Sequence, residues 1–263
     1  MFKRIFKRNS HNWLFKQLAG FGRALNRFYE NRNHDIRSNG ELTVIKKISM
    51  LNPSLIVDAG ANIGLYSHLL LQYIGDAKLY AFEPVRDTFQ KLQKKIASSE
   101  RVILVNKGLY SENKLKEINL FESNTHSSIY SLEALQKSST TKISVELVSG
   151  DSFFSESNDQ YIDFLKLDIE GAEYDALLGF KKMIAQGNIR AIQFEYGYIN
   201  IRTKHLLIDF YRFFDENGYI VGKIFPKTVE FRPYEFKYED FIGPNYLAVK
   251  KSDTELIELL SRK

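Results

Sequence analysis

The stretch "LIVDAGANIGLYS", residues 55–67, carries an apolar run into an acid, Asp58, and then turns at once through Gly60 and Gly64. Leu55, Ile56 and Val57 in succession read as a buried strand. A core strand gains nothing by ending on a carboxylate and two glycines, so the ending points to a ligand. Outward from this point the chain alternates strands and helices. "SLIVDAG" feeds the helix "NIGLYSHLLLQYI", "AKLYAFEP" is a second strand closed by Pro84, and "VRDTFQKLQKKIAS" has helical period. "RVILVNKGL" is a third strand, after which "KLKEINLFES" and "TKISVELVS" alternate like hairpin strands around the polar "SNTHSSIYS". The rhythm returns with the strand "YIDFLKLDIEG", the helix "AEYDALLGFKKMIAQ", the strand "IRAIQFEYG", the helix "TKHLLIDFYRFFDENG", and the strands "YIVGKIF" and "NYLAVKK". Such alternation predicts an α/β fold with a mostly parallel, doubly wound sheet.

At 263 residues with 44% hydrophobic and 26% charged residues, the chain suits one sizeable globular core. Cysteine is absent, which excludes disulfides and thiolate metal sites and suits a reducing compartment. No apolar run reaches the ~20 residues of a spanning helix, and no signal-peptide core is seen. The expected location is therefore cytoplasmic. The formal charge of +5 is uneven: residues 1–40 hold nine Lys/Arg against Glu30 and Asp35, which leaves the other 223 residues at −2. Basicity confined to one arm argues against a nucleic-acid partner, which would meet Lys/Arg on the folded face. Three regions follow: a basic amphipathic helical arm over 1–40, a main domain over 41–250 and a short C-terminal helix or tail over 251–263. In the arm, Leu14, Leu18, Phe21, Leu25 and Phe28 recur at helical spacing. That stripe packs on the main domain, binds a partner or, with Phe2, Ile5, Phe6 and Trp13 among the interleaved bases, lies on the inner membrane surface through residues 1–30.

Asp58 and Glu83 fall at the ends of the first and second strands, where doubly wound sheets bind ligands. Their spacing of 25 positions is near that at which a second-strand acid takes ribose hydroxyls. A dinucleotide needs G-x-G-x-x-G, whereas here Gly60-Ala61-Asn62-Ile63-Gly64 leaves out one close approach and sets an acid where phosphate would be repelled. A P-loop is excluded because no G-K-[ST] follows. A cofactor with a cationic centre and no phosphate reverses the sign, and S-adenosylmethionine carries both an ammonium and a sulfonium. Gly60 then admits the methionyl part, Gly64 lets helix and strand pack closely, and Glu83 accepts from the ribose.

"VDAGANIGLYS", "AFEP" and above all "LKLDIEGAEYDALLGF" resemble the FkbM-type S-adenosylmethionine-dependent methyltransferases, over about residues 54–197. The resemblance implies the seven-stranded, Rossmann-like class I methyltransferase fold and methyl transfer to an oxygen, commonly of a sugar in a glycan, glycolipid or natural product. It sets Asp58, Gly60, Asn62 and Gly64 on the cofactor loop and Glu83 on the ribose acid. Asp151 falls on the acid opening a later helix, Asp168, Glu170, Gly171 and Glu173 on a D-x-E-G-x-E core, and Glu195 on the acid ending the next strand. Two other readings stay open: an NAD-dependent oxidoreductase, and a cofactor-binding scaffold without turnover.

Asp168, beside the methyl group in this fold, and Glu195 end neighbouring strands. Together they either hold Mg²⁺ through oxygen ligands or supply a general base, and the sequence leaves both open. Glu170 joins the catalytic candidates, and it and Glu173 otherwise read as acids that cap the helix or complement its dipole. His126, in the polar loop, is a candidate base or acceptor contact, and Asn106, ending the third strand, a candidate for the adenine. His68 and His205 read as ordinary helix residues. Tyr196, Tyr198, Tyr234, Phe236 and Tyr238 either stack on a sugar or pack the core.

Overall fold

In the computed structural model, which describes residues 10–96, 100–121, 127–128, 140–157 and 159–263, twelve strands are described. They are β1 (Leu55–Ala59), β2 (Lys78–Phe82), β3 (Val102–Val105), β4 (Gly108–Leu109), β5 (Lys114–Phe121), β6 (Ser127–Ser128), β7 (Thr140–Val148), β8 (Ile162–Leu167), β9 (Ile189–Glu195), β10 (Tyr219–Ile224), β11 (Val229–Phe231) and β12 (Asn245–Lys250). The helices are α1 (Trp13–Tyr29), α2 (Glu41–Ser49), α3 (Leu65–Tyr73), α4 (Arg86–Ile96), α5 (Gly150–Ser155), α6 (Glu173–Gly179), α7 (Lys181–Ala185), α8 (Asn200–Thr203), α9 (Leu207–Glu216) and α10 (Thr254–Ser261).

Every residue of β1 is buried because β1 lies inside the main sheet, parallel to β2 on one side and β8 on the other. The full order is β11-β10-β12-β9-β8-β1-β2-β3, with β12 antiparallel to both β9 and β10. This is the α/β, doubly wound sheet that the sequence predicts, in the class I methyltransferase arrangement. It has eight strands where seven are expected, because "TVEF" folds back on β10 as the edge strand β11. Strand order reverses between β1 and β8, so the crevice of the fold opens above those two strands.

The side-chain period of two divides the sheet. Val57, Ala59, Leu165, Leu167, Ile192 and Phe194 pack one face, together with Phe210 and Phe214 of α9. Ile56, Phe164, Ala191 and Leu247 pack the other, under Val44, Ile45 and Ile48 of α2 and Leu69 and Leu70 of α3. On this second face each strand changes character toward its C-terminal end: Ile56 is followed by Asp58, Phe164 by Lys166, and Ala191 by Gln193. The register sets Asp58 beside Lys166 and Lys166 beside Gln193, so the polar ends meet in one place.

Strands β4 to β7 form a second sheet, order β4-β7-β5-β6, whose β5–β7 ladder is the expected hairpin pairing. Its Ile118, Val145 and Leu147 pack on Val85 and Ala172, which follow β2 and β8, so this sheet walls one side of the crevice. Two expectations about helices change. "AEYDALLGFKKMIAQ" is two helices, α6 and α7: a Cβ on Gly179 would meet the Tyr110 carbonyl oxygen at 2.0 Å, and Asp151 takes the Lys182 and Met183 N–H groups at 2.8 and 3.0 Å to start α7. In the arm, α1 shows no packing on the domain among the described residues: none of its residues is buried, and Phe28 is 83% exposed. The packed chain begins at Glu30, whose carboxylate accepts from Arg232 at 2.9 Å in a buried pair. Among the described residues no helix is long and apolar enough to cross a membrane.

Fully buried Phe210 stacks on Phe194 with centroids 4.8 Å apart. Phe210→Ala should cost about 3–5 kcal/mol in urea unfolding. Phe28→Ala on α1 should shift stability by no more than about 0.5 kcal/mol. Comparable losses in both variants would mean that α1 is part of the core after all.

Candidate active site

The glycine turn after β1 is held from both sides. Gly60 and Ala61 donate to the Phe82 carbonyl at 3.0 and 2.9 Å, and Asp168 donates its N–H to the Ala59 carbonyl at 3.2 Å. Gly60 has φ +77°, and a Cβ there would meet the Asp168 carbonyl oxygen at 1.9 Å, so the strand ends close up only over glycine. Asn62 follows in the left-handed region at φ +50°, and Gly64, at φ +84°, is the N-cap of α3.

Asp58 has no exposed surface: its carboxylate accepts from Ser67 Oγ at 2.6 Å and stands 3.3 Å from Lys166 Nζ. It is thus a buried counter-charge and has no surface turned to the crevice, contrary to the direct attraction expected from sequence. The same Lys166 ammonium stands 3.2 Å from Asp168, whose side chain is 44% exposed. Burial pulls the Lys166 pKa down, but Asp168, Asp58 and Glu41 outweigh it and hold it above the ordinary lysine value. Lys166 also lies over the Tyr66 ring at 4.6 Å. Tyr66 donates to Gln193 at 3.1 Å, and Gln193 to Glu41 at 2.6 Å. Asn39 donates to the other Glu41 oxygen at 2.6 Å.

Glu83, one residue past β2, is buried and accepts from the Asn62 and Val85 N–H groups at 3.1 and 2.9 Å. Burial pushes its pKa up to about 7. Asn106 donates to the Glu83 and Pro84 carbonyls at 2.8 and 3.1 Å, and it helps line a cleft of about 310 Å³ with Pro84, Val85, Ile143 and Glu146. A recess of about 400 Å³ around Asp151, Gln160 and Lys182 holds none of the strand-end acids.

Glu195 ends β9 as Asp168 follows β8, each one step beyond the paired Leu167 and Phe194. Burial, then the charges of Asp168, Glu170, Glu173 and Glu41, raise the Glu195 pKa well above the carboxylate range. His34, from the packed segment ahead of α2, stands 4.0 Å from its carboxylate. Glu170 sits at φ +54° and Gly171 at +104° in the loop after β8. Glu173 clamps that loop by accepting from the Ile169 and Gly171 N–H groups at 2.9 and 3.2 Å.

The structure therefore brings together Asp58, Gly60, Asn62, Gly64, Glu83, Asn106, Asp168, Glu170 and Glu195 around one crevice. His126 lies outside the described residues. Among the described residues no group of three or more His, Asp or Glu could hold a metal ion. At the Asp168–Glu195 pair the Lys166 ammonium stands on one side of Asp168, which leaves the exposed side of that carboxylate to any cation. Tyr196 is buried and bonds Glu239, and Tyr238 lies under Arg232, whereas Tyr198 is 53% exposed and its hydroxyl pKa is raised by burial, Glu170 and Glu195. His68 is an exposed helix residue, and His205 stacks on Tyr174.

Sequence reasoning misses Lys166, Ser67, Tyr66, Gln193, Glu41 and His34. For Lys166 a signal exists: it precedes Asp168 by two in a strand, hence on the same face, inside the apolar run "FLKL". Glu41 and His34 reach the site only through tertiary packing.

Glu173 supplies a pH test. Burial pushes its pKa up to about 8, and its Oε2 has no hydrogen-bond partner, which suits the neutral carboxyl. The native state thus holds a proton that the unfolded chain has released above its ordinary value of 4.5. This contribution is complete below pH 4.5 and is lost as pH rises through about 8. From about pH 6 to about pH 8.5 the loss from this group is on the order of 2 kcal/mol. Urea titrations should show stability falling over that range and a shallower fall in Glu173→Gln. Identical slopes in the two proteins would contradict the assignment.

The model of the methyltransferase FkbM domain matches residues 58–221, well over half of the chain. No curated protein matches the sequence. Solved structures similar to it include an rRNA methylase of Streptococcus thermophilus, 11% identical over 79% of this chain and 94% of that one, with a TM-score of 0.43. Another is the plantazolicin methyltransferase in complex with S-adenosylhomocysteine, 9% identical over 86% and 89%, with a TM-score of 0.46. A third is fibrillarin of Aeropyrum pernix with S-adenosylmethionine, 10% identical over 75% and 66%, with a TM-score of 0.40. The sheet order and the domain match, which runs from Asp58 at the end of β1 into β10, settle the oxidoreductase alternative: the chain belongs to the FkbM methyltransferase family.

Proposed function

We propose that this chain transfers the methyl group of S-adenosylmethionine to a hydroxyl oxygen of a sugar or glycoconjugate. The observation that carries the reading is the pair of carboxyls at adjacent strand ends, Asp168 and Glu195, above the point where strand order reverses. The site also has features a nucleoside with a cationic centre requires: a glycine turn without phosphate-binding character, a second-strand acid, and a surplus negative charge. When bound, S-adenosylmethionine supplies an electrophilic methyl carbon on a sulfonium and departs as S-adenosylhomocysteine.

The chain's own groups divide the remaining work. Lys166 neutralises buried Asp58 and orients Asp168, whose exposed side faces the crevice and favours a cation there. Glu83 has used two acceptor positions on backbone N–H groups, leaving others for ribose hydroxyls. Asn106 fixes the backbone of Glu83 and borders the cleft offered to the adenine. Glu195, whose carboxyl pKa is held above the carboxylate range by burial and neighbouring acids, is the better matched base for an alcohol proton, and a neighbouring cation favours its ionised form. Tyr198 is the exposed aromatic beside these acids, open to the apolar face of a sugar. No step here passes through a metal ion.

Ribose hydroxyls donating to Glu83 stabilise its charged form, so binding should release the proton that the free protein holds up to about pH 7. Affinity for S-adenosylhomocysteine should rise about tenfold from about pH 6 to about pH 8, by calorimetry, and Glu83→Gln should lose the dependence. Affinity flat with pH in the parent protein would remove Glu83 from the cofactor site.

Transfer of labelled methyl from S-adenosylmethionine into glycan fractions tests the reaction. Glu195→Gln should lower the rate about 100-fold or more with S-adenosylhomocysteine affinity retained, and EDTA should leave turnover unchanged. Full activity in the variant, or abolition by EDTA, would overturn the proposed chemistry.

A further inference from the structure

Helix α1 leaves its apolar residues outside the fold. At 3.6 residues per turn, Phe28, Phe21, Leu14, Leu25, Leu18 and Tyr29 fall within an arc of about 100°, and Lys16, Arg23 and Arg27 within about 40° on the opposite side. All six apolar or aromatic residues are at least half exposed, and no residue of the helix is buried. Such a stripe is normally the face a helix hides, so its exposure marks an interaction surface.

Charge identifies the occupant. Residues 1–29 contain Lys3, Arg4, Lys7, Arg8, Lys16, Arg23 and Arg27 and not one acid. A second copy of the helix packed on this stripe would bring two such sets together with no carboxylate between them. Nucleic acid would satisfy the bases and leave the stripe in water. A bilayer with anionic headgroups answers both halves at once: acyl boundary for the stripe, lipid phosphates and carboxylates for the bases. We infer that α1 is an amphipathic anchor that lies on an anionic lipid surface.

The root of the helix gives the anchor a consequence for the crevice. Immediately after α1, Glu30 is fastened to Arg232, and Asn31 donates to the Ile224 and Asn39 carbonyls at 3.0 and 2.7 Å. Three residues further on, His34 stands beside Glu195. The anchor is therefore joined through a fixed segment to the rim of the crevice, and docking holds that rim near the headgroups.

The protein carries its own probe, since Trp13 at the start of α1 is the only tryptophan and is 73% exposed. The full-length chain is mixed with phosphatidylcholine vesicles with or without about 30% phosphatidylglycerol, which supplies the negative surface potential. Anionic vesicles should shift Trp13 emission to the blue and carry the protein in flotation, and zwitterionic vesicles should do neither. Raising salt from about 50 mM to about 500 mM should lower the bound fraction at least tenfold. Phe21→Ser with Leu25→Ser should abolish binding without moving the melting temperature. Absence of both blue shift and flotation with anionic vesicles at low salt overturns the inference. So does a concentration-dependent dimer that the same double variant dissolves, because the stripe would then belong to a second copy.

Discussion

One buried ammonium organises this protein's crevice. Lys166 stands between Asp58 on one strand and Asp168 at the end of the next, across the gap where strand order reverses. Taking Lys166 and Asp58 out of water carries a large desolvation cost, and it is met only if each is well paired. Ser67 and the Tyr66 ring complete the pairing, and Gln193, Glu41 and Asn39 extend it under α2. The trio carries one surplus negative charge, and the part of it that meets solvent is Asp168. The electrostatic preference that the sequence suggests for Asp58 is thus delivered one step away, by the acid that Lys166 holds in place.

The order of elements was legible because it rests on local periodicity. Buried parallel strands read as apolar runs, α3 and α4 as helical stripes, and the β5–β7 ladder as strict alternation. Asp58, Glu83, Asp168 and Glu195 were legible as strand-end acids, because the end of a strand can be counted from its pattern. Their partners were not. Gln193 meets Glu41 across 152 positions of sequence, and no local signal encodes that meeting. The break between α6 and α7 was hidden for a similar reason, since its causes, the Tyr110 backbone and the Asp151 cap, come from elsewhere in the chain. The amphipathic pattern of α1 was visible, but periodicity says only that a helix has an apolar face and leaves its partner unspecified.

Two parts outside the main sheet shape the approach to the crevice. The second sheet packs on the turns after β2 and β8 and walls one side. The segment from Glu30 to Glu41 crosses from the arm to α2, contributing Glu41 to the buried network and His34 to the rim. Residues 30–40, where Glu30 and Asp35 balance Arg32 and Arg37, therefore belong physically with the domain, although position groups them with the arm. The second sheet and the segment ahead of α2 thus border a crevice whose floor is the main sheet.

The most direct test of this account is a double-mutant cycle between Lys166→Met and Asp58→Asn, with stability measured by urea unfolding. If the buried ammonium organises the crevice, Lys166→Met alone strands Asp58 as an unpaired buried charge, and Asp58→Asn relieves part of that loss. The coupling energy should then be on the order of 2 kcal/mol or more. Single-mutant losses that simply add, with coupling within about 0.5 kcal/mol of zero, would show that the two strands are held by backbone and packing alone.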